Sequence, residues 1–436
     1  MQTGPRLDLG RRLAEIQQNR LVRQNLILFF GGLVAGIGGF VYHAIAARIL
    51  GPAVYGEVGT LIAVYSVGTG PALIIIAVLA RYSAMLSTRG DPAVRSLLKR
   101  TTRLIAIPCL LLILLTTLFA RPIAQFEHLG SALPVLILAF SVALIWQVAI
   151  PRGILQGLQR FTPLSINLSL ELVVRTAAVY LLLKAGYAVS GSMLAVFLGL
   201  AVVFVLGIYS LRDHLLGNEA RVRLRAMASF SVTAAVGIIG IQILYNQDVI
   251  LAKHYLNSYD AGIYVGLNKI GTILYFLTIS VSQVLFPRVV EAVAKEQNPG
   301  RILLYSAGIL CALGACALLV FLVLPGLVVN VLFGPSFKAA IPLVFPVGLI
   351  GLALSLDNLL VQFFMAVHDR VFMPILALGV VSEGILILLF HARVGQVVLD
   401  VLAALAALLV LLAVRCYLLL PTLHAGSVAE PQPAAL

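Results

Sequence analysis

Charged residues are scarce in this chain. They make up 11% of the 436 residues, whereas 61% are hydrophobic. A soluble domain carries about 25% charged residues, and this much apolar surface would form large adhesive patches in water. No polar stretch exceeds a few dozen residues. These shortages exclude a soluble domain and indicate that lipid is the solvent for most of the chain.

The sequence also lacks the usual signals of catalysis and of metal or cofactor binding. Its four cysteines lie inside apolar runs without metal-ligand spacing, which is typical of core residues. They are Cys109, Cys311, Cys316 and Cys416. No His/Cys/Asp cluster and no glycine-rich phosphate loop occurs, so we predict no catalytic residues, no metal and no cofactor. The first 23 residues are polar and basic, and the first apolar run has no A-x-A cleavage site, so we expect no cleavable signal peptide.

Long apolar runs dominate what is present. A spanning helix needs about 20 mostly apolar residues, and the runs are long and do not alternate, which excludes spanning strands. We therefore predict an all-α integral membrane protein with about twelve transmembrane helices. The runs lie at roughly 24–46, 57–80, 103–120, 131–150, 164–185, 189–211, 228–251, 261–286, 302–324, 341–365, 372–391 and 397–420.

Basic residues are unevenly distributed between the loops. With a cytoplasmic N-terminus, 22 of the 30 Lys and Arg residues fall on the cytoplasmic side and six on the outer side. Cytoplasmic loops of membrane proteins carry such an excess. We predict a multi-pass protein of the cytoplasmic (inner) membrane with both termini cytoplasmic. Loop placement and contact with anionic membrane lipids account for the net charge of +13, so no nucleic acid partner is expected.

A weak internal repeat divides the chain into halves of six helices, with a shift near 208 residues. The matched pairs at helix ends are Tyr55/Tyr264, Arg81/Arg288, Phe126/Phe333, Pro134/Pro342, Arg160/Arg370 and Pro163/Pro374. An even number of helices per half makes the repeats parallel, and in transporters such halves rock around a site between them. The predicted organisation is a cytoplasmic basic interfacial segment (1–23), an N-lobe (24–211), a cytoplasmic inter-lobe linker (212–227), a C-lobe (228–420) and a cytoplasmic tail (421–436).

Three strings carry a family resemblance. ARILGPAVYGEVGTLIAV (47–64), followed by Arg81, resembles the first-lobe signature of Wzx-type polysaccharide (O-antigen) flippases of the multidrug/oligosaccharidyl-lipid/polysaccharide exporter superfamily. YNQDVILAKHYLNSYDAGIYVGLNKI (245–270) and VLFGPSFKAAIPL (331–343) are similar to its second lobe. The resemblance implies two lobes around a central cavity, and flipping of lipid-diphosphate-linked glycans from the inner to the outer leaflet. It also implies a polyprenyl-linked glycan substrate, with a polysaccharide polymerase and glycosyltransferases as partners.

Several cationic and polar residues fall inside or beside the apolar runs, where a charge needs a wet cavity or a partner. Arg175 lies near the midplane of the fifth run, on one helix face with Asn167 and Glu171. It either pairs internally with Glu171 or faces a cavity and binds a diphosphate, for which a guanidinium is well suited. Candidates for binding phosphate or glycan are Arg175, Lys269, Arg81, Arg48, Asn268 and Tyr264. For Lys269 outward snorkelling is the alternative, and for Arg48 and Arg81 a topogenic or structural role.

Acidic residues inside the runs are candidates for coupling transport to H⁺ or Na⁺. Asp248 takes part in coupling, or it only caps a helix end or pairs with Lys253. The repeat shift brings Glu383 close to the counterpart of Glu171, and Asp357 with Asn358 resembles a cation site. The ion-coupling candidates are Glu171, Asp248, Asp357, Asn358 and Glu383.

Two functions of other kinds stay open beside the flippase. A MATE-like antiporter of drugs or organic cations needs an acidic, aromatic cavity, which the mixed charge of the spans disfavours. A membrane glycan-processing enzyme needs carboxylates or a base in a loop that meets the sugar, but the predicted outer loops are short and hold no paired acids. The sequence therefore favours a transporter and not an enzyme.

Overall fold

A computed structural model of the chain describes residues 20–87, 90–215, 217–218, 220, 231–295 and 297–424. No strand occurs in these ranges. The predicted basic segment before Arg20, residues 221–227 of the predicted linker and the tail after His424 lie outside the described residues.

The described chain is a succession of α-helices. In the first half these are α1 Arg20–Gly68, α2 Gly70–Ser87, α3 Asp91–Phe126, α4 Leu133–Gly157, α5 Phe161–Lys184 and α6 Ala188–Ser210, followed by a 3₁₀ turn at Arg212–His214. In the second half they are α7 Ser231–Leu244, α8 Gln247–Tyr255, α9 Ser258–Ala294, α10 Pro299–Val323, α11 Pro325–Leu332, a 3₁₀ segment at Pro335–Leu343, α12 Val344–Ala366, α13 Phe372–Leu389 and α14 Val394–His424.

Each of the twelve predicted spans has a helical counterpart. Ten helical segments of the described residues are long and apolar enough to cross a membrane. The first of them, Gly38–Ser87, has 50 residues, is broken at Gly51, and contains the end of the first predicted span and all of the second. The rest of the first predicted span lies within α1, which begins at Arg20. The eighth predicted span falls within α9, which has 37 residues. The prediction of an all-α membrane fold with about twelve spans is therefore confirmed.

The positions of two helix breaks were not predicted from the sequence. Gly51 has a φ of 70°, a left-handed conformation that favours glycine. Pro52 follows it and has no amide proton to donate, so α1 bends between its two halves. The seventh predicted span is also not continuous. It divides at Tyr245 and Asn246 into α7 and α8, and Asp248 begins the first turn of the second piece.

The helices form two compact units. One contains the described residues of Met1–Ile49, Pro71–Gln125 and Gly130–Ser229, and the other contains Leu50–Gly70, Phe126–Leu129 and those of Phe230–Leu436. Leu50–Gly70 and Phe126–Leu129, which precede the predicted linker, group with the second unit. The reason for the first of these groupings is close packing on α9.

Glycines allow this close packing between the second half of α1 and α9. A Cβ atom at Gly262 would overlap the Pro52 carbonyl, and a Cβ atom at Gly56 would lie 3.0 Å from the Gly262 amide nitrogen. Small residues allow helix backbones to approach in this way. Gly56, the second glycine of the family-like string GPAVYG, therefore has a packing role within the second unit.

The internal repeat is visible in backbone geometry. Gln159 and His368 are both left-handed, with φ of 55° and 58°. The next amides, of Arg160 and Asp369, donate to carbonyls five residues earlier, at 2.9 and 3.0 Å. The counterpart of Arg160 is thus Asp369, one residue before the predicted Arg370, because the turn geometry repeats at a shift of 209.

Candidate functional site

A buried ionic cluster joins three helices of the first unit. The Arg152 Nη2 atom of α4 donates to Glu171 Oε2 at 2.6 Å, and Arg152 Nε donates to Asn167 Oδ1 at 2.8 Å. The Asn167 amide nitrogen then donates to the Val203 carbonyl of α6 at 2.7 Å. Arg152, Asn167 and Glu171 are all buried. This cluster therefore fixes the rotation of α5 relative to α4 and α6.

The predicted partner of Glu171 was Arg175, one helical turn along α5. The structure instead gives Glu171 an ion pair with Arg152 from the neighbouring helix. Arg152 lies just beyond the predicted run at 131–150, yet α4 continues to Gly157. The signal that could have revealed this extension is the apolar pair Ile154 and Leu155, both fully buried.

Arg175 is placed by a different contact. Its guanidinium carbon lies 4.2 Å from the ring centroid of Tyr42, in the first half of α1. The Tyr42 hydroxyl donates to the Ser192 carbonyl at 3.1 Å, which anchors the ring. Arg175 is 9% exposed. The aromatic face fixes the position of the guanidinium, and a guanidinium can bind an oxyanion through two parallel N–H donors.

A change at Arg152 tests whether the cluster is structural. Arg152→Met leaves the buried Glu171 carboxylate without its ion-pair partner, and we expect a loss of about 3–5 kcal/mol in stability. The double variant Arg152→Met, Glu171→Leu removes both charges and is expected to recover most of that loss. Thermal unfolding of the purified protein in detergent measures both.

The matched control is Lys295→Met, which removes one partner of the exposed Lys295–Glu291 pair. Exposed pairs contribute little, so this variant should unfold close to wild type. A double variant as unstable as Arg152→Met alone would show that the ion pair is not the cause.

A second polar cluster lies in the second unit around Asp248. Asp248 is 3% exposed, and its Oδ2 atom accepts hydrogen bonds from the Tyr264 hydroxyl at 2.6 Å and from Asn268 Nδ2 at 2.9 Å. The break before α8 places this carboxylate in the first turn of a helix, where the amide of Val249 points to it and the helix dipole favours negative charge. Asp248 was predicted near a helix end, and that end is the internal break.

Lys269 lies beside this carboxylate. It is 5% exposed and interacts electrostatically with Asp248. Its Nζ atom is 5.5 Å from the ring centroid of Tyr245, whose hydroxyl donates to Thr272. The structure thus brings together four of the predicted residues, Lys269, Asn268, Tyr264 and Asp248. Lys269 is buried among polar groups, which argues against the alternative that its side chain snorkels outward.

A small pocket lies beside the Asp248 cluster within the second unit. Its polar wall contains Tyr245, Asp248, Tyr264, Asn268 and Thr272, and its apolar wall comes from α12 and α14, including Val347, Ile350, Leu354, Val401 and Leu405. The Asp248 carboxylate, which accepts from Tyr264 and Asn268, therefore faces this small pocket.

The other predicted acids lie in more apolar surroundings. Asp357 and Glu383 are both 0% exposed, and within the described part of the chain neither carboxylate has a hydrogen-bond partner of good geometry. Glu383 interacts electrostatically with Asp248, and both Glu383 and Asp400 interact with Tyr264. Asn358 is buried next to Asp357 on α12. No group of three metal-ligating side chains converges among the residues that the structure describes.

Arg48 and Arg81 differ from the other predicted cations. Both are exposed, Arg48 near the end of the first half of α1 and Arg81 within α2. Arg175 belongs to the first unit, and Lys269 to the second. The buried Lys and Arg residues of the described spans are therefore Arg95, Arg152, Arg175, Lys253 and Lys269, of which Arg95, Arg152 and Lys253 were not predicted as site residues.

Comparison with solved structures identifies the fold of the chain. The chain is similar to a multidrug resistance MATE family transporter of the MOP superfamily in an inward-facing conformation, with a TM-score of 0.77, 11% identity, and 90% of this chain and 96% of that chain covered. It is also similar to an outward-facing multidrug resistance MATE family transporter of the MOP superfamily, with a TM-score of 0.64 and 13% identity. That comparison covers 92% of this chain and 95% of that chain. A third similar structure is a MOP superfamily transporter from Pyrococcus furiosus, whose binding pocket is described as having a reversed polarity that suggests a different function. Its TM-score is 0.62 at 14% identity, with 92% of this chain and 95% of that chain covered. The fold is that of MATE-like transporters.

The family follows from the sequence itself. Residues 21–293 match the polysaccharide biosynthesis protein family, which is more than half of the chain. The chain therefore belongs to this family, and the resemblance to polysaccharide flippases of the MOP superfamily is confirmed. No curated protein matches the sequence.

Proposed function

We propose that this transporter flips lipid-diphosphate-linked oligosaccharide or polysaccharide repeat units from the inner to the outer leaflet by alternating access. Membership of the polysaccharide biosynthesis family supports a glycan cargo. The observation that carries the anionic part of the cargo is Arg175, a buried guanidinium stacked on Tyr42 in the middle of a span. Such a group binds phosphate oxygens in a bidentate manner. The protein acts as a carrier and not as an enzyme.

Ion coupling belongs to the same proposal, with Asp248 as the coupling acid. Its Oδ2 atom is occupied by two donors, whereas Oδ1 has no hydrogen-bond partner of good geometry among the described residues. A buried carboxylate of this kind can bind H⁺ or Na⁺ and thereby change the charge next to Lys269. Glu383 and Asp357 are additional candidates, whereas the ion pair with Arg152 favours a structural role for Glu171.

Location and partners complete the proposal. The excess of basic residues in one set of loops supports insertion in the cytoplasmic membrane with both termini cytoplasmic. A polyprenyl-linked glycan made on that face is the substrate. Glycosyltransferases that build the glycan, and a polymerase that extends it after flipping, are the enzymes expected to act before and after this carrier.

Reconstitution tests the proposed function. The purified chain is placed in liposomes that contain a short polyprenyl-diphosphate oligosaccharide, and a membrane-impermeant reagent labels glycan in the outer leaflet. Under an imposed H⁺ or Na⁺ gradient, we expect glycan from the inner leaflet to become labelled in the outer leaflet faster than in liposomes that contain the same lipid-linked glycan but no protein. Equal rates in both would contradict the proposal.

An organic-cation antiporter is the second candidate. The carboxylate and two tyrosines at the pocket beside Asp248 favour it, since acidic and aromatic groups bind organic cations. Gradient-driven efflux of a fluorescent organic cation from the same liposomes, without glycan flipping, would favour this second function over the first.

A further inference from the structure

The second predicted span is interrupted at its centre. α1 ends at Gly68 and α2 begins at Gly70, whereas hydropathy predicts one span over roughly 57–80. Glycines weaken a helix, and Pro71 has no amide proton to donate to the Val67 carbonyl four residues earlier. The residue types at this point therefore account for the interruption.

This interruption, which we name the span-2 break (residues 66–70), is held by α7 within the second unit. Gln242 Nε2 donates to the Ser66 carbonyl at 2.8 Å and to the Thr69 hydroxyl at 3.2 Å. The Thr69 hydroxyl in turn donates to the Ser66 carbonyl at 2.6 Å. One side chain of α7 thus supplies a donor to both polar groups of the break.

The span-2 break and Gln242 lie near the centre of the membrane. The break is at the middle of the predicted run at 57–80, and Gln242 is about 4 Å beyond the middle of the run at 228–251, at about 1.5 Å per residue. Residues 66–69 and Gln242 are all partly exposed. Irregular backbone at this depth is either buried in protein or lines water, and does not face lipid. We therefore infer that the exposed side of the break faces a water-filled space.

The groups left available beside the break are neutral acceptors. Gln242 uses Nε2 for its two contacts, and within the described part of the chain nothing donates to its Oε1 atom. Asn246 lies one turn further along the chain, and its Nδ2 donates to the Gln242 backbone carbonyl at 2.7 Å. Its buried Oδ1 atom also has no donor among the described residues. Amide oxygens accept from hydroxyl groups, whereas phosphate oxygens are themselves acceptors. The chemistry therefore favours a neutral ligand rich in hydroxyls.

A cation fits this place less well. Hard cations take oxygen ligands, and carboxylates and backbone carbonyls are the usual ones. The Ser66 carbonyl is already occupied by the Thr69 hydroxyl and by Gln242 Nε2. No carboxylate contacts these three residues in the ranges that the structure describes. The break therefore lacks both the charge and the free carbonyl that a cation needs.

We propose that Gln242, held at the span-2 break, forms a subsite of the second unit that binds sugar hydroxyls of the cargo. This inference rests on the proposed function, which makes a glycan the cargo. Discontinuous helices form substrate sites near the midplane in other transporters. Nε2 of Gln242 fixes the side chain against the break, so that Oε1 is positioned to accept from a hydroxyl. The subsite recognises the glycan, whereas the phosphate contact is proposed at Arg175 in the other unit.

Lipid binding to the full-length protein in nanodiscs tests the proposal. One probe is a polyprenyl diphosphate that carries a short oligosaccharide, and the other is the same polyprenyl diphosphate without sugar. Native mass spectrometry gives the Kd of each, and we expect wild type to bind the sugar-bearing lipid more tightly. Gln242→Leu should weaken binding of that lipid by about three- to tenfold, the effect of one neutral hydrogen bond. Its Kd for the sugar-free lipid should stay at the wild-type value.

The two probes separate this inference from the proposed function. If wild type binds neither lipid, the proposed function fails and the subsite with it. If wild type prefers the sugar-bearing lipid and Gln242→Leu keeps the whole preference, the subsite alone is overturned. Equal weakening for both lipids would show that Gln242 only supports the fold. A changed Na⁺ dependence of binding with an unchanged sugar preference would show a cation site. Either of these results, or a wild type without preference, also overturns the subsite.

Two control variants accompany Gln242→Leu. Thr69→Val removes the hydroxyl of the break but keeps Gln242 Oε1, so the sugar preference should be retained. Gln147→Leu removes an amide of the same type from a span of the first unit, where its Nε2 donates to the Thr102 carbonyl at 3.5 Å. This variant should bind both lipids like wild type. A loss of preference in either control as large as in Gln242→Leu would count against the assignment to Gln242.

Exposure of the break to water is tested separately with Thr69→Cys. A thiol reacts as the thiolate, which forms in contact with water and is disfavoured in apolar surroundings. The variant should therefore react with a membrane-impermeant thiol reagent faster than wild type, whose own four cysteines give the background. The sugar-bearing lipid should slow this labelling more than the sugar-free lipid does. Labelling at the wild-type background, or equal protection by both lipids, would overturn the proposal.

Discussion

Replacing Arg175 with glutamine is expected to lower glycan flipping by roughly 10- to 100-fold while the protein still folds and reaches the membrane. A hydrogen bond to a charged group contributes about 1.5–3 kcal/mol, and each 1.4 kcal/mol is about tenfold. Arg175 is a buried cation held against Tyr42 and is therefore suited to bind a diphosphate. Surface polysaccharide in complemented deletion cells and flipping in liposomes both measure the effect.

The matched control for Arg175 lies in the same unit. Arg212 stacks on the Tyr209 ring at 4.6 Å but at the helix end and at the surface. Arg212→Gln removes a cation and a cation–π contact without touching the middle of a span, so flipping should stay near wild type. Arg175→Lys keeps the charge but not the planar donors and should be intermediate. Normal flipping in Arg175→Gln would contradict the assignment of phosphate binding to Arg175.

Replacing Asp248 with asparagine is expected to abolish the gradient-driven part of transport. Asparagine has nearly the same shape, and its oxygen can still accept from Tyr264 and Asn268, so folding should be preserved. It cannot take up and release a proton and carries no negative charge for Na⁺. The rate under an imposed gradient should therefore fall to the rate without one. Flipping in liposomes with and without the gradient provides the measurement.

Asp260→Asn is the control for Asp248. This carboxylate accepts from Asn257 Nδ2 at 2.7 Å at the exposed start of α9, close in sequence but outside the pocket. Its loss should leave the gradient effect intact. If Asp248→Asn retains full gradient dependence, the coupling acid lies elsewhere, and Glu383 and Asp357 become the next positions to change.

Hydropathy was sufficient to predict the helices, because only α-helices satisfy the backbone in lipid when the runs do not alternate. It was not sufficient to predict the breaks. Gly51 followed by Pro52 could have been read as a bend from residue types alone. The break at Tyr245 and Asn246 could not, because the Tyr245 hydroxyl and the nearby Asp248 carboxylate find their partners on α9, which folds against them.

Candidate polar residues were easy to find, since they stand out against apolar neighbours. Their partners were harder to predict. Spacing along α5 favours Arg175 as the partner of Glu171, but the packing of α4 brings Arg152 to within 2.6 Å. The choice between two cations depends on helix rotation, which one sequence does not specify. The assignment of Phe126–Leu129 to the second unit depends on long-range contacts in the same way.

The interrupted seventh span has a consequence for biosynthesis. The segment Ala235–Tyr255 has the lowest mean hydropathy of the ten candidate spans, and an Asp near a span centre disfavours insertion by about 2.5–3.5 kcal/mol. Alone, it would enter the bilayer poorly during synthesis. The groups that satisfy Asp248 are on α9, which is made immediately afterwards and donates from Tyr264 and Asn268. The two segments are therefore expected to leave the translocon as a pair, with the polar contact between Asp248 and α9 formed early as an aid to insertion.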